Sequence, residues 1–199
     1  NYDLNYNFFN PKLGVTFNIN GANQLYASFS VGRKEPGRAD IKESIKAGRA
    51  GDIKEERLLD WEAGYRLNLP KIVLSANLYL MEYKDQLVPT GKLSETGYVI
   101  KENVQESYRR GIEIAAAYSP VSFLKFDANL TLSRNKIVGY TQWTDLYDNT
   151  SEWNPLPQRS RYYEQTNLSF SPSVIGMAMI TLSPGWETSV SINGKFVGK

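Results

Sequence analysis

The sequence predicts an all-β fold, an antiparallel up-and-down membrane β-barrel present here as a partial barrel or curved sheet of about eight strands. Three observations predict it. Apolar and polar residues alternate with period two in segment after segment. The connections between segments are by turns short and long. A load of 13 Tyr, 8 Phe and 4 Trp accompanies an otherwise polar chain, the mixture expected of a polar lumen and aromatic rims. Alternation alone also fits a soluble sandwich with its apolar side inward. Loop parity and segments near ten residues long favour the barrel, whose apolar side points out to lipid.

The first two segments, Pro11–Ile19 and Gln24–Arg33, flank Asn20-Gly21, a pair suited to the positive backbone angles of a tight hairpin. In them Leu13, Val15 and Phe17, then Leu25, Ala27, Phe29 and Val31, alternate with polar or small residues. The third, within "LLDWEAGYRLNL", sets Trp61, Ala63, Tyr65, Leu67 and Leu69 against Asp60, Glu62, Gly64, Arg66 and Asn68. After Pro70-Lys71 the fourth carries Ile72, Leu74, Ala76, Leu78 and Leu80 on one side, and beyond Met81 its phase blurs, as at a bulge. The fifth runs from Tyr108 to Tyr118 and turns through "SPVS". The sixth is the clearest, with Leu124, Phe126, Ala128, Leu130 and Leu132 opposed to Lys125, Asp127, Asn129, Thr131 and Ser133. The seventh, Ile175–Leu182, alternates weakly and turns through "SPGW" into the eighth, which carries Thr188, Val190, Ile192 and Phe196. Long polar loops are expected at Lys34–Glu56, Pro89–Gly97 and Ile137–Gln165, the first with a short capped helix in "DIKESIKAG".

Composition narrows the function. Basic and acidic residues, 23 against 21, are interspersed, so nucleic acid is not an expected partner. With no cysteine and no histidine, thiol chemistry, disulfides, the usual general base and the commonest metal ligands are missing. The acids are too dispersed for an oxygen-ligand calcium loop. No enzyme, metal or other cofactor is therefore expected. No run approaches the ~18 apolar residues of a membrane-spanning helix, and "NYDLNYNFFN" has neither the basic head nor the apolar run of a secretory signal.

The blocks "NPKLGVTFNINGANQLYASFSVGRKEPGRADI", "IKEERLLDWEAGYRLNL", "LYLMEYKDQLV" and "ESYRRGIEIAAAYSP" resemble, in order and spacing, successive barrel segments of TonB-dependent outer-membrane receptors, nearest to the Bacteroidetes type. The resemblance implies a location in the outer membrane, contact with its lipid, and import of a small nutrient such as a ferric siderophore. It also implies a barrel of about 22 strands closed by a plug domain through which the TonB complex acts. Residues 1–199 hold no plug-like stretch, no coupling box and no terminal aromatic, so the chain is expected to be a fragment of the barrel domain, interior to late. A passive porin-like or structural barrel, or an importer of glycan, haem or cobalamin, is the alternative.

Two loops are candidate ligand sites. Arg33, Lys34 and Arg38 can meet an anionic chelate, although Glu35, Asp40, Glu43 and Asp52 nearly cancel them and a solvated loop is the favoured reading. Tyr140, Trp143, Tyr147 and Trp153 can stack on a catecholate or sugar, or else pack the loop and form the upper girdle. Glu62 with Arg66, Arg109 and Arg110 with Glu113, and Lys125 with Asp127 are read as lumen residues, forming salt-bridge ladders or plug contacts, or lining a transport path.

Overall fold

The computed structural model describes residues 5–46, 52–94, 97–152 and 154–198. Among them nine strands form one antiparallel sheet: β1 (Lys12–Asn18), β2 (Asn23–Lys34), β3 (Glu56–Asn68), β4 (Ile72–Leu93), β5 (Val99–Val121), β6 (Leu124–Tyr147), β7 (Pro155–Asn167), β8 (Val174–Leu182) and β9 (Val190–Val197). The helix α1 (Arg38–Lys46) lies between β2 and β3. Each strand pairs with its neighbour in sequence, except that β6 pairs with both β7 and β8. Among the described residues no helix is long and apolar enough to cross a membrane.

Nine strands fill eight places. β7 pairs with the outer half of β6, from Lys136↔Asn167 to Tyr147↔Pro155, and β8 with the inner half, from Leu124↔Leu182 to Leu132↔Val174. They run end to end along one edge. Between them residues 168–173 face only residues 133–135 of β6, an excursion three residues longer than the strand beside it. Four bonds tie it down: Leu168 N–H to Asn135 O, Ser133 N–H to Ser173 O, Ser133 Oγ to Pro172 O and Asn135 Nδ2 to Ser171 O. The sheet is open, and no pairing joins β1 to β9 among the described residues.

Directly opposed residues of an antiparallel ladder point to the same face. The register therefore sorts the sheet into rows. One face carries Phe17, Leu25, Tyr65, Ala76, Ile114 and Leu130 in one row and Val15, Ala27, Ala63, Leu78, Ile112 and Leu132 in the next. The other carries Thr16, Tyr26, Gly64, Asn77, Glu113 and Thr131, then Asn18, Gln24, Arg66, Ser75, Ala115 and Asn129. The apolar side chains stand uncovered, Phe17 at 64% exposure. Among the described residues the buried apolar ones are Val88, Val104, Ile137 and Leu168, a cluster beyond the apolar rows. A sheet with that much uncovered apolar surface is built for a non-aqueous solvent on that side.

The short connections gather at one end. Asn20 closes the first by accepting from the amides of Ala22 and Asn23, both at 2.9 Å. The turn at Lys71 touches the next one directly, Lys71 Nζ donating to Pro120 O at 3.0 Å and Ser119 N–H to Lys71 O at 2.8 Å. At the other end the expectation needs correction. Two of the three long loops are strand: β4 continues to Leu93 and β5 begins at Val99, while β6 runs to Tyr147 and β7 starts at Pro155. These hairpins lie beyond the apolar rows, where neither face needs hydrocarbon and alternation is lost. The third loop carries α1, where the capped helix was expected. The bulge expected beyond Met81 is found a few residues further along the strand. Pairing runs through Met81↔Arg109, and the irregularity comes at Asp85, with φ 54°, and between Pro89 and Leu93.

On the apolar face of β5, Tyr118 to Arg110 spans eight residue steps. That is about 27 Å of strand and, tilted at about 40°, about 20 Å of height, close to the outward apolar band of a barrel. Leu130→Arg is expected to cost about 2–4 kcal/mol in a membrane refolding titration and Thr131→Arg, on the other face, much less. Equal costs would reverse the assignment of faces.

Candidate functional site

The polar face is held together by tyrosines laid across glycines. Tyr26 of β2 crosses Gly64 of β3 and donates its hydroxyl to Asn77 Oδ1 of β4 at 3.0 Å. A Cβ on Gly64 would sit 2.3 Å from that ring. Tyr79 of β4 lies across Gly111 of β5 in the same way, with its hydroxyl 2.7 Å from where a Cβ would be. Arg66 stacks its guanidinium over Tyr26, 4.7 Å from the ring centroid.

The other candidate lumen residues share this face. Glu62 sits opposite Ser28 and Tyr79, Glu113 opposite Asn77 and Thr131, and Asp127 opposite Ala117 and Met179. Lys125 and Asp127 form an ion pair at 2.8 Å. Glu62 and Arg66 do not, because four residues of extended strand separate them by about 13 Å. The expected set Arg109, Arg110 and Glu113 is split. Arg109 lies on the polar face beside Met81 and Asn135, while Arg110 pairs with Leu80 and Arg134 on the apolar face. Neighbours in a strand cannot share a face.

At the outer end three segments clasp one another. Asp40 in the first turn of α1 is 6% exposed, accepts the Tyr98 hydroxyl at 2.8 Å and pairs with Lys101 Nζ at 3.2 Å. Beside it, Lys54 N–H donates to Asn103 Oδ1 at 2.8 Å and Asn103 Nδ2 returns a bond to Lys54 O at 3.0 Å. These contacts fasten the β2–β3 connection to β5. The β4 side of the same hairpin rests on β6: Tyr140 donates to Pro89 O at 2.7 Å, and Lys92 Nζ lies 3.6 Å from the Trp143 ring centroid. Gly91, at φ 88°, lets the chains approach, since a Cβ there would fall 2.1 Å from Trp143 O.

The hydrogen bond to Asp40, with burial, raises the pKa of Tyr98. Burial pulls Lys101 down, but the bond to Asp40 and its charge outweigh it, and the net shift is upward. Burial, with Glu102 and Tyr163, raises Tyr140. In the β6–β7 turn, bonds from Thr150 and Asn154 lower Asp148.

The candidate ligand residues are not gathered into one pocket. Arg33 bonds Glu55 at 2.7 Å and Lys34 approaches Glu56 at 3.8 Å, both at the end of β2, and Arg38 opens α1. Tyr140 and Trp143 serve the clasp, Tyr147 is half exposed at the end of β6, and Trp153 lies outside the described residues. A cavity of about 270 Å³ at this end is instead lined by Asp40, Glu43, Asp85, Tyr98, Lys101 and Glu102. The helix-cap pattern of "DIKES" was the one signal for Asp40. Tyr98 and Lys101 carry none, because tertiary packing brings them there.

An open sheet with a polar face, an uncovered apolar face close in height to a barrel's outward band, short turns at one end and hairpins at the other defines the class: a segment of a transmembrane β-barrel. A family model described as TonB dependent receptor-like, beta-barrel, matches residues 1–196, and the chain belongs to that family. Its members are outer-membrane transporters, not enzymes. Among solved structures the chain is similar to the ferric-catecholate import receptor Fiu of E. coli K12, with 14% identity, TM-score 0.57, and coverage of 94% of this chain and 24% of that one. It is also similar to the iron transporter FrpB of Neisseria meningitidis, with 17% identity, TM-score 0.63, and coverage of 94% and 26%. The alcaligin outer-membrane receptor FauA of Bordetella pertussis matches at 15% identity and TM-score 0.59, over 98% and 30%. These likenesses show the fold, and the chain spans a quarter to a third of the length of those proteins. No curated protein matches.

Two outcomes test the geometry. Gly111→Ala meets the Leu132 carbonyl oxygen at 2.4 Å, a backbone atom that cannot turn aside, whereas Gly64→Ala meets only the Tyr26 ring. Gly111→Ala is expected to lower folded yield more than Gly64→Ala, read by heat-modifiable gel mobility, and Tyr26→Ala in the Gly64→Ala background to recover part of the loss. The pKa of Lys101 is raised on folding, so the stability it gives is full below the ordinary lysine value and is lost as pH rises through the folded one. Hydrogen exchange in α1 is thus expected to be slow and constant from about pH 6 to 9 once corrected for intrinsic rates, to quicken only at higher pH, and to be fast throughout in Asp40→Asn.

Proposed function

We propose that the chain is part of the transmembrane barrel of an energy-coupled import receptor for small nutrients, most specifically ferric siderophores, with the plug domain supplied outside residues 1–199. The observation that carries this reading is the family match over nearly the whole chain. The polar face supports a plug. It carries Asp60, Arg109 and Asp127 along with Glu62, Arg66 and Glu113, and a domain seated in the lumen provides partners for such charges. Glu62, Arg66, Glu113, Lys125 and Asp127 then face that lumen and plug.

Ligand arrives at the hairpin end. Arg33, Lys34 and Arg38 give cationic contacts there, and Tyr140, Trp143, Tyr147 and Trp153 give rings. Two of the relatives named above are described as receptors for ferric-catecholate and for alcaligin, which supports the siderophore class without naming the cargo. The TonB complex acts through the plug, and outer-membrane lipid surrounds the apolar face.

Uptake of a panel of radio-iron siderophores by iron-starved cells carrying the complete receptor tests this. Uptake is expected to depend on the receptor, to stop when a protonophore collapses the inner-membrane gradient, and to fall about tenfold in Arg38→Glu with Tyr147→Ala, the loss of about two surface contacts. Uptake that persists without the gradient would mark a passive porin. Receptor-dependent uptake of haem, cobalamin or a glycan instead would reassign the cargo.

A further inference from the structure

We infer that the inner end of the polar face carries a site for a soft monovalent cation, Cu(I) or its redox-stable counterpart Ag(I), held by the thioethers of Met177 and Met179. The inference goes beyond nutrient import and rests only on the assignment of the two faces. It starts from where the methionines stand. The chain has three, and a thioether is apolar enough for the lipid side. None is there. Met81 sits between Asp60 and Arg109, Met177 between Asn129 and Lys195, and Met179 between Asp127 and Asn193, all on the polar face. On β8 the lipid side is left to Val174, Gly176, Ala178, Ile180 and Leu182. Ala178 and Ile180 are exposed there, whereas both methionines of β8 are half-buried. Packing alone would set a methionine against apolar neighbours, and the four residues flanking this pair are two asparagines, an aspartate and a lysine.

The spacing suits one ion. Two residues apart on a strand, Met177 and Met179 share a face with their Cα atoms about 7 Å apart. A metal–sulfur bond is about 2.3 Å long, so two sulfurs on one ion lie within about 4.6 Å of each other. Each flexible side chain closes that gap by leaning about 1 Å toward the other. Met81 cannot join them, because its row reaches β6 at Asn135, six residues or about 20 Å from Asn129. Beside Met177 there is room for the ion. Ala115 and Ala117 leave a hollow of about 220 Å³ in the polar wall, bordered by Ser75, Asp127, Asn129 and Met177. Lys125 engages Asp127 through Oδ1 at 2.8 Å, which leaves Oδ2 and the Asn129 amide as further oxygen donors at the rim. Lys195 is exposed on β9, and its long stem carries the ammonium out to water. Ligand type sets the selectivity. Thioether sulfur is soft and neutral, and it selects Cu(I) over hard and borderline divalent ions. Those ions find no set of their own, since no group of three His, Cys, Asp or Glu that could hold a metal gathers among the described residues.

The test uses the complete receptor in detergent, titrated with Ag(I) and read by native mass spectrometry, with heat-modifiable mobility to confirm a folded barrel. Wild type is expected to bind a silver ion that Met177→Leu with Met179→Leu does not. Leucine keeps the volume of the side chain and removes only the sulfur. Either single leucine variant is expected to weaken that ion about tenfold or more, and Met81→Leu to leave it unchanged. Excess Zn²⁺ or Ca²⁺ is expected not to displace it. The location is read separately by brief peroxide treatment and peptide mapping, in which Ag(I) is expected to shield Met177 and Met179 from oxidation and to leave Met81 as reactive as before. Equal silver binding by the double leucine variant would overturn the site. Equal shielding of Met81 would reduce it to the general affinity of silver for thioethers. Met177 and Met179 that resist peroxide before silver is added would be sealed against the plug, which also overturns a site open to ions.

Discussion

A strand that crosses hydrocarbon has no water to satisfy its amides, so every backbone group must find its partner on the next strand. That constraint governs this chain. It requires continuous antiparallel pairing across the apolar rows, from β1 to β6 and on through β8 to β9, and that register sorts the side chains by parity onto two faces with different solvents. Little is left for a conventional core, and the cluster of Val88, Val104, Ile137 and Leu168 lies past the apolar rows, where water returns. Within the rows, cohesion comes from the ladders themselves and from side chains that reach over a neighbour. Tyr26 over Gly64 spans three strands at once, and the missing Cβ is what permits it.

The membrane half of the fold was legible because its two solvents write a strict period into the sequence. "FLKFDANLTLS" could be assigned residue by residue, and the faces agree with the register of β6. The hairpin half was not legible, because water on both sides removes the period. "PTGKL" and "PLPQRSRYYEQ" read as loops and are strand. β7 was missed for a further reason. The three extra residues between it and β8 invert the phase, so a single alternation cannot be traced through both. The helix in the loop between β2 and β3 was visible because capping chemistry is local.

The candidate site was less legible than the fold. Residue type suggested the right kinds of side chain but not their company. Trp143 reads as a ligand ring or as loop packing, and an ammonium from the neighbouring hairpin lies over it, while Tyr140 spends its hydroxyl on a backbone carbonyl. Asp40 looked like one more surface acid offsetting Arg38, and it is the buried pin that fastens α1 to β5. Parity alone separates Arg109 from Arg110, and that rule was available from the sequence once the phase of the fifth segment was fixed by Ile112 and Ile114. Long-range docking of one hairpin on another leaves no such trace.

The excursion at residues 168–173 acts as an expansion joint in the wall. Its length is odd relative to β6, its ends are pinned by backbone bonds, and it sits where the apolar rows stop. Register errors introduced above such a joint are absorbed there and do not propagate below it. A one-residue change in the outer hairpin of a continuous strand would turn every lower side chain from lipid to lumen. With the joint in place, the exposed hairpin is free to change length, bend or diverge while the membrane half keeps its faces. The wall thereby separates the part that must stay the same from the part that meets the outside world.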